Sequence, residues 1–378
     1  MKIGIITQPL HANYGGLLQN YAMQQVLVRL GHDVYTINKN NIPTVYTAGV
    51  YTWIKFQIKQ FIKRILRKPT TPSYCEFLQI RQHCIRFVEN NIRTTGLFRS
   101  QEELQKIIEK YKFNGYVVGS DQVWRPIYSL NIYNDFLDFC KEKKDVKRLA
   151  YAASFGVDNW EFDDEQTKEC SKLAKLFNAI SVREDSGLKL CKEHLGVKAT
   201  HVLDPTLLLE KEDYIRLVEQ NGEKESGGDL FCYILDSNKT IEEAMGNIEK
   251  KMSLKSFQVK AKRSSYALKR EDAINDFVVP SPTKWIRAFI DAKMVFTDSF
   301  HGCVFSIIFN KPFWVIGNKE RGNARFDSLL KLFSLEDRRI SVDEVGQADL
   351  TAPINWDSVN AIKKEWQKKS IAFINKNL

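Results

Sequence analysis

Short apolar runs that break abruptly into small, polar or charged residues recur along this chain, and the recurrence leaves few folds open. Gly115–Val118 runs into Gly119-Ser120-Asp121, and Arg148–Ala153 into Ser154-Phe155-Gly156. Ala179–Val182 runs into Arg183-Glu184-Asp185, and Thr200–Leu203 into Asp204-Pro205. Runs this apolar, separated by helical stretches, read as buried strands of a parallel sheet. In an open α/β sheet the carboxyl ends of the strands form the ligand crevice. The N-terminus opens the pattern. Lys2–Thr7 reads as a strand, His11–Gly16 as a polar glycine-bearing loop, Leu17 to about Leu30 as a helix and Asp33–Ile37 as the next strand, which makes a βαβ unit.

Asn221–Gly228 (NGEKESGG) is polar and glycine-rich and reads as a linker. Beyond it the alternation restarts. Leu230–Leu235, Phe257–Val259, Met294–Thr297 and Pro312–Ile316 read as strands. Thr240–Met252, Trp285–Ala292, His301–Asn310 and Trp356–Ile374 read as helices. The expected fold class is therefore α/β, with two Rossmann-like domains in a GT-B-like arrangement. The first domain spans residues 1–220, with a basic helical insertion near 51–92. The second spans 229–350, and a closing helix at 356–378 packs back toward the first.

The net charge of +10 calls for an anionic partner. The aromatic residues form no stacking platform of the RRM or OB type, so nucleic acid is not expected. One segment concentrates the charge. Trp53 to Lys68 carries Lys55, Lys59, Lys63, Arg64, Arg67 and Lys68 with no acid, while Ile54, Ile58, Phe61, Ile62 and Ile65 recur at helical spacing. This pattern fits a basic amphipathic helix on an anionic membrane, or a surface helix packed on its own domain. The N-terminal stretch lacks the apolar region and cleavage site of a signal peptide, no apolar run is long enough to span a membrane, and the seven cysteines show no CxxC spacing. The chain is expected to be cytoplasmic with reduced thiols, peripheral to the inner membrane face if the basic helix binds there. No metal site is expected.

Four strand ends carry candidate chemistry. In Asn13-Tyr14-Gly15-Gly16 the glycines let backbone approach a ligand ahead of a helix N-terminus; the bland alternative is a tight turn. In Gly119-Ser120-Asp121, Asp121 could hold a sugar hydroxyl or act as a base, or Ser120 and Asp121 could simply cap a helix. Arg183 could fork onto a carboxylate or phosphate, or pair with Glu184 or Asp185. In Thr297-Asp298-Ser299-Phe300-His301-Gly302, His301 stands where a strand gives way to a helix, at the crevice edge.

Taken in order, NYGGLLQNYA, VVGSDQVW, AYAASFG, ISVRED, VLDPTLLL and FTDSFHGCVFSIIFNKPF resemble the polysaccharide pyruvyl transferase family over roughly Lys2 to Leu335. The resemblance implies a GT-B-like fold and transfer of pyruvate from phosphoenolpyruvate onto a sugar, or a lipid-linked oligosaccharide, as a cyclic ketal. It implies no cofactor beyond that donor. His301 becomes the expected general acid and Asp121 the group that positions or deprotonates the acceptor. Asn13, Tyr14, Gly15, Gly16, Ser120, Arg183, Ser299, Arg321 and Arg325 become the expected binding residues. One departure stands out: several characterised members carry an Arg two positions before the histidine, where this chain has Ser299. Arg183, Arg321 or Arg325 would supply the charge. A nucleotide-sugar glycosyltransferase and a catalytically silent glycan-binding relative remain the alternatives.

Overall fold

The computed structural model describes residues 1–40, 42–43, 46, 49–66, 68–263, 268–269, 272–317 and 323–378. Two parallel sheets follow one another along the chain. The first contains β1 (Lys2–Ile6), β2 (Asp33–Thr36), β3 (Gly115–Val118), β4 (Lys147–Ala153), β5 (Ala179–Val182) and β6 (Thr200–His201). Their spatial order is β2-β1-β3-β4-β5-β6. The second contains β7 (Leu230–Tyr233), β8 (Ser256–Phe257), β9 (Met294–Thr297), β10 (Phe313–Ile316) and β11 (Arg339–Ile340), in the order β11-β10-β9-β7-β8. All the paired strands are parallel. The central strands β3, β9 and β10 are buried along their whole length, as helices on both faces of a parallel sheet require.

The strand orders locate the functional seam. In the first sheet the chain runs outward from β1 to β2 on one side and from β3 to β6 on the other. The order thus reverses between β1 and β3. In the second sheet it reverses between β7 and β9. Such switch points open a crevice at the carboxyl ends of the strands. Here the two crevices face each other, because the helix Tyr14–Arg29 after β1 packs against the helix Pro282–Asp291 of the second domain. Tyr14 seals that contact: its hydroxyl donates to the Pro280 carbonyl at 2.9 Å and its ring lies 5.7 Å from that of Trp285.

Element types follow the sequence closely, and boundaries shift by a few residues. The largest difference is at the first loop. The helix begins at Tyr14 rather than Leu17, because the Asn13 side chain accepts from the Gly16 amide and caps it, so Gly15 and Gly16 belong to its first turn. The segment 221–228 joins the last helix of the first domain, Lys211–Gln220, to β7. It is tied down: Glu223 accepts from Ser281 and Thr283, and Asp291 accepts from the Ser226 amide. The helix Trp356–Asn377 returns to the first domain. Ser370 accepts from the Leu203 amide, Gln367 donates to the Leu207 carbonyl, and Phe373 meets Tyr151.

Ile374 is wholly buried in that contact, whereas Lys364 is exposed. Ile374→Ala is expected to cost about 2–5 kcal/mol in chemical denaturation through lost contact and a residual cavity. Lys364→Ala should stay within about 0.5 kcal/mol of the parent. Equal effects would mean that the helix does not hold the first domain.

Candidate active site

The carboxyl end of β1 delivers Thr7 and the capped turn at Tyr14–Gly16, and β3 delivers Ser120 and Asp121. From β5 comes Arg183, from beyond β6 comes Asp204, and β9 delivers the turn that ends in His301. All but the last belong to the first domain. The two domains approach closely at Gly15. A Cβ built there would lie 2.0 Å from His301 Nδ1 and 2.4 Å from Cγ, so only glycine lets the imidazole rest on that backbone. A second glycine sets the ring's own position. A Cβ on Gly302 would lie 2.2 Å from Thr297 Oγ1, so the helix Phe300–Ile308 can start this close to β9 only with glycine there.

Asp204 sits at the centre. Its Oδ2 accepts from Ser120 Oγ at 2.9 Å and from Arg183 Nη1 at 2.9 Å, while Oδ1 accepts from the Thr206 amide and hydroxyl at 3.0 and 2.6 Å. His301 Nε2 lies 3.7 Å from Oδ2, within ion-pair range but beyond a hydrogen bond. Burial pushes the Asp204 carboxyl up, but His301, Arg183 and Thr206 outweigh it and hold the group far below the usual carboxylate range. Asp204 therefore stays ionised at any working pH.

Arg183 is buried, and burial opposes its charge; Asp204, Asp121 and Glu184 overcome that and raise its pKa. Asp121 Oδ1 is 3.8 Å from Nη2 and Glu184 Oε2 is 4.0 Å from Nε. Neither is a hydrogen bond, and Arg183 Nε and Nη2, like His301 Nε2, are buried without a hydrogen-bond partner among the described residues. The guanidinium lies 4.4 Å from the centre of the Phe300 ring, and that of Arg325 5.8 Å from the same ring. Burial and then the nearby Arg183 push Arg325 down to about 10, which still leaves it charged at neutral pH.

The expected residues do not all meet at the seam. Arg183, Arg325, Asp121, Ser120, Gly15, Gly16 and His301 come together at the seam. Asp121 is held in the left-handed region at φ 71°, which Asp tolerates better than most residues, and does not cap a helix; its carboxylate lies against Gly16, 3.3 Å from where a Cβ would be. Ser299 is at the N-terminus of its helix and makes no side-chain cap. The Asn13 side-chain oxygen caps the helix while its amide nitrogen lies beside Gly16, 3.4 Å from where a Cβ there would be; the Tyr14 hydroxyl is used in the interdomain contact. Arg321 lies outside the described residues. Arg183 pairs chiefly with Asp204 rather than with its sequence neighbours; Glu184 is spent on Ser154 and the amides of Phe155 and Gly156, and Asp185 faces Lys331.

Sequence reasoning missed Asp204 as a site residue, although the strand-end rule had already pointed at Asp204-Pro205. It also missed His11, whose pKa is lowered by burial and then by Arg81, against the pull of Asp121. No group of His, Cys, Asp and Glu among the described residues could hold a metal ion.

Comparison with known proteins completes the assignment. The polysaccharide pyruvyl transferase profile matches residues 13–320, and the chain belongs to that family. The fold is that of the GT-B glycosyltransferases. TcCGT1, solved with UDP, aligns over 99% of this chain and 98% of its own at 8% identity and a TM-score of 0.50. A glycosyltransferase from Rickettsia africae aligns over 100% of this chain and 94% of its own, at 9% identity and a TM-score of 0.49. The UDP-GlcNAc 2-epimerase of Methanocaldococcus jannaschii, solved with UDP-GlcNAc and UDP, aligns over 97% and 100%, at 12% identity and a TM-score of 0.49. Compared with curated proteins, the chain matches none.

Asp204→Asn is expected to destabilise the protein by about 3–5 kcal/mol at neutral pH, because it leaves Arg183 buried without its main partner. The sign of the pH dependence follows from the depressed carboxyl. Its stabilisation is complete above the unfolded-state value of about 3.9 and fades as pH falls below it, since the unfolded chain then binds more protons. Denaturation between about pH 5 and pH 3 should show a shallower loss in the variant than in the parent. Parallel pH curves would show that Asp204 is not the coupled group.

Proposed function

We propose that this chain transfers pyruvate from phosphoenolpyruvate onto a sugar of a surface polysaccharide or its lipid-linked precursor, in the cytoplasm, forming a ketal without a cofactor. The observation that carries the reading is the pairing, in one buried seam, of His301 with guanidinium donors of Arg183 that have no acceptor among the described residues. Arg183 Nε and Nη2 would receive the carboxylate or phosphate of the donor, and Arg325, across Phe300, would add charge that Ser299 does not supply. The N-terminus of the helix Phe300–Ile308, with no acid in its first turn, favours the same anion.

Protonation of the donor's C3 by His301 makes C2 electrophilic. One sugar hydroxyl attacks C2 and gives up its proton, which Asp121 is placed to accept or direct. The C2–O bond to phosphate breaks, and a second hydroxyl adds to C2 to close the ring. Two hydroxyl protons are released; one balances the proton placed on C3 and the other leaves with phosphate. Asp204 faces the imidazole across the seam, its Oδ2 3.7 Å from His301 Nε2.

The competing reading is a glycosyltransferase using a nucleotide sugar, favoured by the alignment with TcCGT1 and its UDP. The fold is common to both reactions and does not choose between them. Phosphate release from phosphoenolpyruvate, measured with candidate glycans, separates the two. His301→Ala should lower the rate by about 10² to 10⁴. Gly15→Ala should approach the same loss, because its methyl group would displace the ring. A His301→Ala protein with near-parent turnover removes the histidine from the chemistry. Thermal protection by UDP, with no phosphate released in the presence of any glycan, turns the assignment to the glycosyltransferase.

A further inference from the structure

The helix Val50–Ile65 is amphipathic the wrong way round for a helix that stabilises its own domain. At about 3.6 residues per turn, Phe56, Gln60 and Lys63 share one side. These are the half-buried residues of the helix, and they face the body. Phe56 stacks edge-on to Tyr46 at 6.1 Å, and Gln60 accepts from the Thr71 amide at 2.9 Å. The opposite side carries Ile54, Ile58, Phe61, Ile62 and Ile65, at 44, 54, 64, 49 and 65% exposure. Tyr51 and Leu66, at 70 and 56%, extend that stripe at its two ends. Trp53, half exposed, falls off it, toward the Gln60 side. An ordinary surface helix turns such a stripe inward; this one turns it to solvent.

The charge pattern selects the occupant. Lys55, Lys59 and Arg64 flank the stripe and are exposed, as is Lys68 just beyond it; Arg67 lies outside the described residues. The helix has no acidic residue. A second copy of this chain laid on the same face would therefore bring cations against cations. We propose that this face seats the protein on an anionic lipid surface, with the apolar stripe at the acyl boundary and the flanking cations among the headgroups. The helix is anchored to both domains. Its C-terminal extension pairs at Thr70 with Leu268 of the second domain through two backbone bonds of 2.8 and 2.7 Å, and in the following helix Tyr74–Asn91 the Ile80 carbonyl accepts from the Val279 amide. Among the described residues no helix is long and apolar enough to cross a membrane, so the contact is peripheral.

This inference stands on the surface alone and is independent of the reaction assigned to the seam. Co-sedimentation of the full chain with vesicles tests it. Vesicles of phosphatidylcholine with phosphatidylglycerol should bind the protein, those of phosphatidylcholine alone should bind it little, and binding should fall steeply with added salt. Removing three charges in Lys55→Gln, Lys59→Gln, Arg64→Gln should lower partitioning by about a hundredfold, at roughly fivefold per basic residue. Ile58→Asn with Phe61→Asn should lower it as well, and since both side chains are exposed, the urea midpoint should not move. Equal binding to the two vesicle types, or binding that survives both variants, overturns the proposal. So does a concentration-dependent dimer that Phe61→Asn abolishes, which would give the face to a second copy.

Discussion

One buried carboxylate holds the seam together. Asp204 receives hydrogen bonds from the end of β3 through Ser120, from the end of β5 through Arg183 and from its own turn through Thr206, and it faces His301 of the second domain. Isolated, a buried carboxylate would cost several kcal/mol of desolvation. With these partners it stays charged, and it fixes three strand ends of the first domain at a common point. The second domain contributes His301, which sits on the Gly15 backbone, with Phe300 and Arg325 beside Arg183. Take away the carboxylate and Arg183 loses its only hydrogen-bonded carboxylate partner among the described residues, with Asp121 and Glu184 left at 3.8 and 4.0 Å, so the residue that looks structural and the residues that look functional cannot be varied separately.

The fold was legible because its signal is local. Strands such as Gly115–Val118, Ala179–Val182 and Met294–Thr297 are largely apolar and run into charged or small polar residues, so hydropathy marks them. The site was legible where a residue type is conspicuous at a strand end, as with His301, Arg183 and Asp121. What sequence could not supply is which of these residues meet. Tyr14 reads like a ligand contact beside two glycines, yet its hydroxyl is used by Pro280, 266 positions away. Asp204 reads like a turn former before proline and proves to be the hub. Such pairings are set by the apposition of two sheets, and no local pattern encodes them.

The orientation of the basic helix was open for the same reason. The spacing of Ile54, Ile58, Phe61 and Ile65 defines a stripe but not the direction it faces. Direction is decided by the smaller contacts of Phe56 and Gln60 with Tyr46 and Thr71, which carry little hydrophobic signal in the sequence.

The charge balance of the seam limits what it can bind. Asp204, Asp121 and Glu184 face Arg183 and Arg325 there, so the described residues present no surplus of cations while His301 is neutral. An anionic ligand is favoured only in so far as it reaches donors that those carboxylates do not satisfy, namely Arg183 Nε and Nη2 and the helix N-terminus at Phe300. Protonating His301 shifts the balance by one charge. Because the ring belongs to one domain while Gly15 and Asp204 belong to the other, that charge is placed next to its carboxylate only when the two domains are apposed as they are here. The proton donation and anion binding proposed for this seam therefore need both domains, with His301 on one and Asp204 and Arg183 on the other.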